Sequence, residues 1–180
     1  EKNHDKCVDF LNTVYLPDSK NLNFSSKFNL LCVNGLRERR KSIMPLIKEL
    51  KILINNNVDF KLRIIGEIDP ITEKKYKNFL CKNPNLSKFV EVLPVVENIH
   101  DYYKSSDLMV TTATFEGTSN AVLESFANNL PVLCLDYALG LNETIEHGVN
   151  GLQCASAEDM AKSIVSLYND ESTLNALKDG

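Results

Sequence analysis

Six short apolar runs punctuate this chain, and their spacing restricts the folds open to it. They are Phe28–Val33, Phe60–Ile65, Phe89–Leu93, Leu108–Thr111, Val132–Leu135 and Gly151–Cys154. Strands this short and this continuously apolar read as buried on both faces. Between them lie segments of helical period. Ile43, Leu46, Ile47, Leu50 and Ile54 form one, with Ser42 as its expected cap and Pro45 in its first turn. Ile71–Lys82, Asn98–Ser105 and Ala121–Asn129 form others, and Ser156 with Asp159 opens a last helix that carries Met160, Ile164 and Leu167. Strand and helix in alternation imply right-handed crossovers. The predicted fold is therefore α/β, a doubly wound parallel Rossmann-like sheet covered on both faces.

A chain of 180 residues, 43% hydrophobic and 24% charged, fits one globular domain. Residues 1–28 read as an interdomain linker or edge segment, and residues 29–180 as the domain. The first residue is Glu1 rather than Met, so the chain reads as a piece of something longer. The net charge of −4 gives no basic field for nucleic acid or anionic lipid. No apolar run is long enough to cross a bilayer. The five cysteines lack metal-ligand spacing, and Cys32, Cys134 and Cys154, within apolar segments, read as small buried hydrophobes of a reducing compartment, so the expected location is cytoplasmic.

Ligands of such sheets bind beyond the carboxyl ends of the strands. Four loops belong to that edge: the basic loop Asn34–Ser42, the Leu93–Pro94 turn, the loop around Glu116, and Asp136–Asn142. The third is the most informative. In Phe115-Glu116-Gly117-Thr118-Ser119-Asn120-Ala121-Val122-Leu123-Glu124 a tight loop turns into a helix. Gly117 is expected to supply unusual backbone angles, and Thr118 or Ser119 to cap the helix. Free amides and the positive dipole end make the site an anion cradle. Glu116 and Glu124 would repel a phosphate unless they are occupied by hydroxyls. Anion cradle and hydroxyl acceptors together describe a nucleotide-sugar.

The same residues resemble the E-x7-E motif of retaining GT-B glycosyltransferases of the "group 1" family, Glu116 and Glu124 being separated by seven residues. Leu130-Pro131-Val132-Leu133 and Gly140–Leu152, which includes Glu143-Thr144-Ile145-Glu146-His147-Gly148-Val149-Asn150-Gly151, extend the likeness. The resemblance implies one half of a GT-B fold, the C-terminal donor-binding domain, with a preceding acceptor domain absent from this chain. It implies sugar contact by Glu116, ribose contact by Glu124, and a phosphate cradle from the backbone of Gly117, Thr118 and Ser119. Lys41 and Arg37 match the family's diphosphate lysine and arginine, with Leu36-Arg37 inverted and Lys41-Ser42 standing in place of Lys-Gly. The turn Leu93-Pro94-Val95-Val96 falls where the family builds its base pocket, with Leu93 and Pro94 as the preferred donor contacts. No cofactor and no metal is implied. The implied partners are a nucleotide-sugar and the protein's own N-terminal domain, through which any membrane contact would run, placing the protein at the inner face of the membrane.

Two other readings use the same residues. A non-catalytic GT-B-like module assisting a partner enzyme would not need the basic loop in family register, and a sugar epimerase would share the donor site. His100 and His147, without a partner for general-base work, read as structural.

Overall fold

The structure, a computed structural model, describes residues 28–35, 39–117 and 119–180. The expected linker apart from Phe28, together with Arg37 and Thr118, lies outside the described residues.

The strands are β1 (Phe28–Cys32), β2 (Phe60–Ile65), β3 (Val90–Leu93), β4 (Leu108–Val110), β5 (Val132–Leu135) and β6 (Gly151–Cys154). All pair in parallel, in the order β3-β2-β1-β4-β5-β6. The helices are α1 (Met44–Glu49), α2 (Lys51–Asn55), α3 (Pro70–Lys82), α4 (Ile99–Lys104), α5 (Asn120–Ala127), α6 (Leu141–Thr144), α7 (Ala157–Asn169) and α8 (Glu171–Asp179). No described helix is long and apolar enough to cross a membrane.

The order of connection reverses between β1 and β4, which are neighbours, with Leu30 opposite Leu108. That reversal opens the crevice used by ligands in sheets of this kind. The interior of the sheet is dry. Leu30, Leu62, Leu108, Val110 and Leu133 are wholly buried.

The helices depart from the sequence reading at their ends. Pro45 sits in the first turn of α1, but the cap position is Ile43, and Ser42 instead accepts the Met44 N–H at 3.3 Å. The first helical segment breaks at Leu50, so one predicted helix is two. Asp69 caps α3 by accepting from the Thr72 N–H and hydroxyl, both at 2.8 Å. Ser156 caps α7 as the spacing predicts, accepting from the Asp159 N–H at 3.0 Å. The chain then turns at Asp170, which caps α8, a helix the sequence reading did not separate.

The two sheet faces differ in chemistry because successive side chains alternate. Phe28 meets Tyr168 of α7 edge to face, with ring centres 5.7 Å apart. On the opposite face Asn29 accepts from Arg63 at 3.0 Å, and Arg63 pairs with Glu91 at 3.1 Å. Burial lowers the Arg63 pKa, while the charges of Glu91 and Tyr102 oppose that shift. A buried guanidinium needs its donors filled, so this row ties β1, β2 and β3 together across one face.

Two glycines hold the upper loops close. Gly35, with φ +67°, lies where a Cβ would stand 2.1 Å from the Glu67 carbonyl oxygen. Gly140, with φ +87°, lies where a Cβ would stand 1.7 Å from the Glu116 carbonyl oxygen. Both positions combine left-handed backbone with backbone contact. Gly35→Ala and Gly140→Ala should each cost roughly 2–4 kcal/mol in urea unfolding. Gly117→Ala should stay within about 0.5 kcal/mol, because a Cβ there meets nothing within 4 Å. Asn29→Ala should cost roughly 2–3 kcal/mol by removing a neutral partner from the buried Arg63, again read in urea.

Candidate functional site

The site begins where β1 and β4 end. Asn34 donates to the Thr111 hydroxyl at 2.9 Å, and that oxygen also accepts the Ala113 N–H at 3.2 Å. The Thr112 hydroxyl donates to the Ser42 carbonyl, and the Thr114 N–H donates to the Arg40 carbonyl at 2.8 Å. The loop after β1 is thus stitched to the loop after β4 on both sides of Lys41.

The stitching brings together residues 75 apart in sequence. Lys41 Nζ lies 2.7 Å from Glu116 Oε1. Lys41 retains 40% of its side-chain exposure and Glu116 only 13%. A pair this open adds about 0–1 kcal/mol to stability. Its importance is positional: an ammonium and a carboxylate stand together on the ligand edge. The aromatic ring of Phe115 sits beneath the Arg40 guanidinium at 5.4 Å, which fixes the loop from its other flank.

Glu116 is held from behind by the loop after β5. Its N–H donates to the Leu139 carbonyl at 3.0 Å, and Phe115 forms an isolated parallel bridge with Leu139. The close approach of Gly140 permits this contact. The conformational demand expected of Gly117 therefore falls on Gly140: Gly117 has no left-handed φ and is exposed, with open space where a side chain would be.

Helix α5 opens at Asn120. Ser119 occupies the cap position in extended conformation, but its side chain makes no capping bond, contrary to expectation. Its carbonyl instead accepts the Val122 and Leu123 amides, both at 3.1 Å. The Ser119 hydroxyl therefore does not offset the positive end of the helix dipole. Glu124, more than a turn along α5, accepts from the Tyr103 hydroxyl at 2.9 Å.

Above the strand ends lies a cavity of about 340 Å³. Lys41 and Glu124 line it on one side, and Val95, Val96 and Ile99 supply an apolar wall. Leu93 and Pro94, expected at this wall, do not line it. Leu93 pairs with Ile65, and its carbonyl accepts the Gly66 N–H at 3.2 Å, so it is used in the sheet. The wall is built two residues further on. In the loops after β4 and β5, on the same sheet edge, Phe115, Tyr137 and Leu139 are 47%, 54% and 61% exposed.

The histidines take no part in this arrangement. His147 Nδ1 accepts the Gln153 N–H at 3.0 Å, which fastens the turn before β6. His100 Nδ1 is buried without a hydrogen-bond partner among the described residues.

Residues missed from sequence are those that join one segment to another: Asn34, which also lines the cavity, Thr111, Thr112, Tyr103 and Gly140. Thr111-Thr112 directly after an apolar strand was a usable signal, since buried hydroxyls at strand ends require partners. Tyr103 carried none, because its partner is 21 residues away on a different helix.

Comparison with known proteins places this geometry. The profile of the family Glycosyl transferases group 1 matches residues 27–170. An uncharacterized glycosyltransferase of Haemophilus influenzae is 28% identical over 127 residues, covering 69% of this chain and 35% of that protein. The chain spans 22% to 35% of the length of the curated relatives it matches. The crystal structure of Anabaena HepE in complex with UDP superposes with a TM-score of 0.72 at 20% identity, covering 86% of this chain and 42% of that one. The C-terminal domain of the group 1 family protein LpcC from Francisella tularensis gives 0.71 at 20% identity, covering 85% of this chain and 81% of that one. At that identity these two likenesses speak for the fold, a Rossmann-like domain of GT-B type. With 27–170 matched end to end and the parallel sheet of that fold beneath it, the chain belongs to the Glycosyl transferases group 1 family.

Proposed function

We propose that this chain is the donor-binding, C-terminal half of a retaining glycosyltransferase, which moves a sugar from a nucleotide-diphosphate sugar to a glycan or lipid-linked acceptor. The observation that supports this reading best is the convergence of Lys41 and Glu124 on one cavity, with Glu116 at 2.7 Å from the lysine.

Each residue has a role that follows from its chemistry. The base rests against Val95, Val96 and Ile99. The ribose hydroxyls donate to Glu124, whose carboxylate only accepts. The diphosphate lies between Lys41 and the uncapped head of α5, beside the Gly117 and Ser119 backbone, where open space at Gly117 lets a phosphate approach the chain. As the glycosidic bond to the diphosphate breaks, charge develops on the leaving oxygen, and Lys41 with the helix dipole stabilises it. Glu116 accepts hydroxyls of the transferred sugar and orients its ring. Arg37 and Thr118 keep the assignments given by family resemblance, as a second diphosphate cation and a cradle amide.

UDP is the first probe to use, since HepE was solved with it. The acceptor half belongs to a preceding domain. Support for this comes from the chain's 22% to 35% share of its relatives and from the exposed Phe115, Tyr137 and Leu139 on the ligand edge of the sheet. A second domain closing there would cover them and exclude water from the reaction.

Calorimetric titration separates the roles. Lys41→Ala should weaken UDP binding about 10- to 100-fold and leave uridine binding unchanged, since only the diphosphate meets the amine. Glu124→Ala should weaken both ligands about tenfold. If UDP, GDP and ADP bind neither wild type nor Glu124→Ala, the chain is a non-catalytic module and the donor-site assignment fails. In the complete enzyme, Glu116→Gln should lower kcat about 100- to 1,000-fold with a smaller change in KM, read by initial-rate kinetics.

A further inference from the structure

We propose that Tyr103 is a positioning residue for the donor site: its buried hydroxyl fixes the Glu124 carboxylate in the orientation that receives the nucleotide ribose. The inference rests on the donor-site reading above for its ligand, but its geometric basis stands without any ligand.

Glu124 projects from α5 at the border of the cavity, half-buried. A glutamate there has three side-chain torsions to order, and freezing them on ligand binding costs affinity. Tyr103 removes that cost in advance. It comes from the neighbouring helix α4, is 1% exposed, and donates to Glu124 Oε2 at 2.9 Å. One of the carboxylate's four acceptor positions is thereby filled, and the rest stay available to hydroxyls in the cavity. The Asn128 amide donates to the Glu124 main-chain carbonyl at 2.7 Å, which holds the backbone of the same residue. Both ends of Glu124 are therefore fastened before a ligand arrives.

The donor is constant. Burial, together with the charge of Glu124, pushes the Tyr103 phenol above its ordinary range, so it is protonated at neutral pH and donates to the carboxylate it holds. Tyr103 itself does not line the cavity, and contact with substrate belongs to Glu124 alone.

Tyr103→Phe keeps the ring and deletes the donor, so the fold should survive. The test titrates UDP and 2′,3′-dideoxy-UDP into wild type, Tyr103→Phe, Glu124→Gln and the double variant. Ligand-free crystal structures of wild type and Tyr103→Phe accompany the titration. The expected result is a roughly tenfold loss for UDP in Tyr103→Phe with no change for the dideoxy ligand, because only the ribose hydroxyls use the positioned carboxylate. The double variant should bind no more weakly than Glu124→Gln alone. In the ligand-free variant the carboxylate should leave its wild-type position. Equal losses for both ligands, or none, would overturn the proposal and leave Tyr103 a packing residue. If wild type binds neither ligand, the donor-site reading fails separately, and the crystal structures then decide: an unmoved Glu124 in Tyr103→Phe overturns the positioning role.

Discussion

Two hydrogen bonds between loops, Thr112 to the Ser42 carbonyl and Thr114 to the Arg40 carbonyl, decide what this domain can do. Parallel pairing sets β1 beside β4, but pairing alone places only the strands. Anchoring the backbone on each side of Lys41 sets that residue's main chain at the point where the sheet reverses, within reach of Glu116. Because the donors come from the strand that follows β1 in space rather than in sequence, the crevice and its charge are produced by the same topological step.

The pair between Lys41 and Glu116 explains how two acids and a phosphate site can share one edge. Without an anion, Lys41 has Glu116 as counter-ion. In the donor-bound state proposed above, the diphosphate shares the ammonium while Glu116 turns part of its acceptor capacity to sugar hydroxyls. A lysine, with three rotatable donors on a flexible stem, suits a handover of this kind better than a planar guanidinium. The buried Arg63 is the contrasting case within the same sheet: its fork is held by Asn29 and Glu91 and serves to bind strands together.

The sheet was legible because its strands are short and mainly apolar, and all six lie within a residue or so of where the sequence puts them. Helix ends were less so. Ile43 rather than Ser42 occupies a cap, and Leu50 divides a helix whose periodicity is unbroken, since an apolar period marks the buried face and not where a helix starts or stops. The edge residues were found because their types are few and their loops share a sheet edge. What sequence could not give was the division of labour among glycines. Gly117 and Gly140 look alike in isolation, and only the proximity of the Glu116 carbonyl shows that the second is the one backbone geometry requires. The wall after β3 was displaced by two residues for a related reason, since the sheet claims Leu93 before the cavity can use it.

Rigidity is distributed unevenly over this edge, and the distribution bears on catalysis. Glu124 is fastened at its side chain and its backbone, and Glu116 is fastened by Leu139 behind it, whereas Lys41 keeps 40% of its exposure. Groups that must recognise neutral hydroxyls benefit from fixed direction, because such hydrogen bonds weaken steeply as the angle departs from linear. A point charge acting on a diphosphate needs proximity more than direction, and its strength depends instead on the dielectric around it. An open cleft keeps that dielectric high. In the donor-site reading proposed above, the domain as it stands is organised for recognition, and the electrostatic work of breaking the bond to the diphosphate falls to a state in which a second domain covers Phe115, Tyr137 and Leu139 and expels the water.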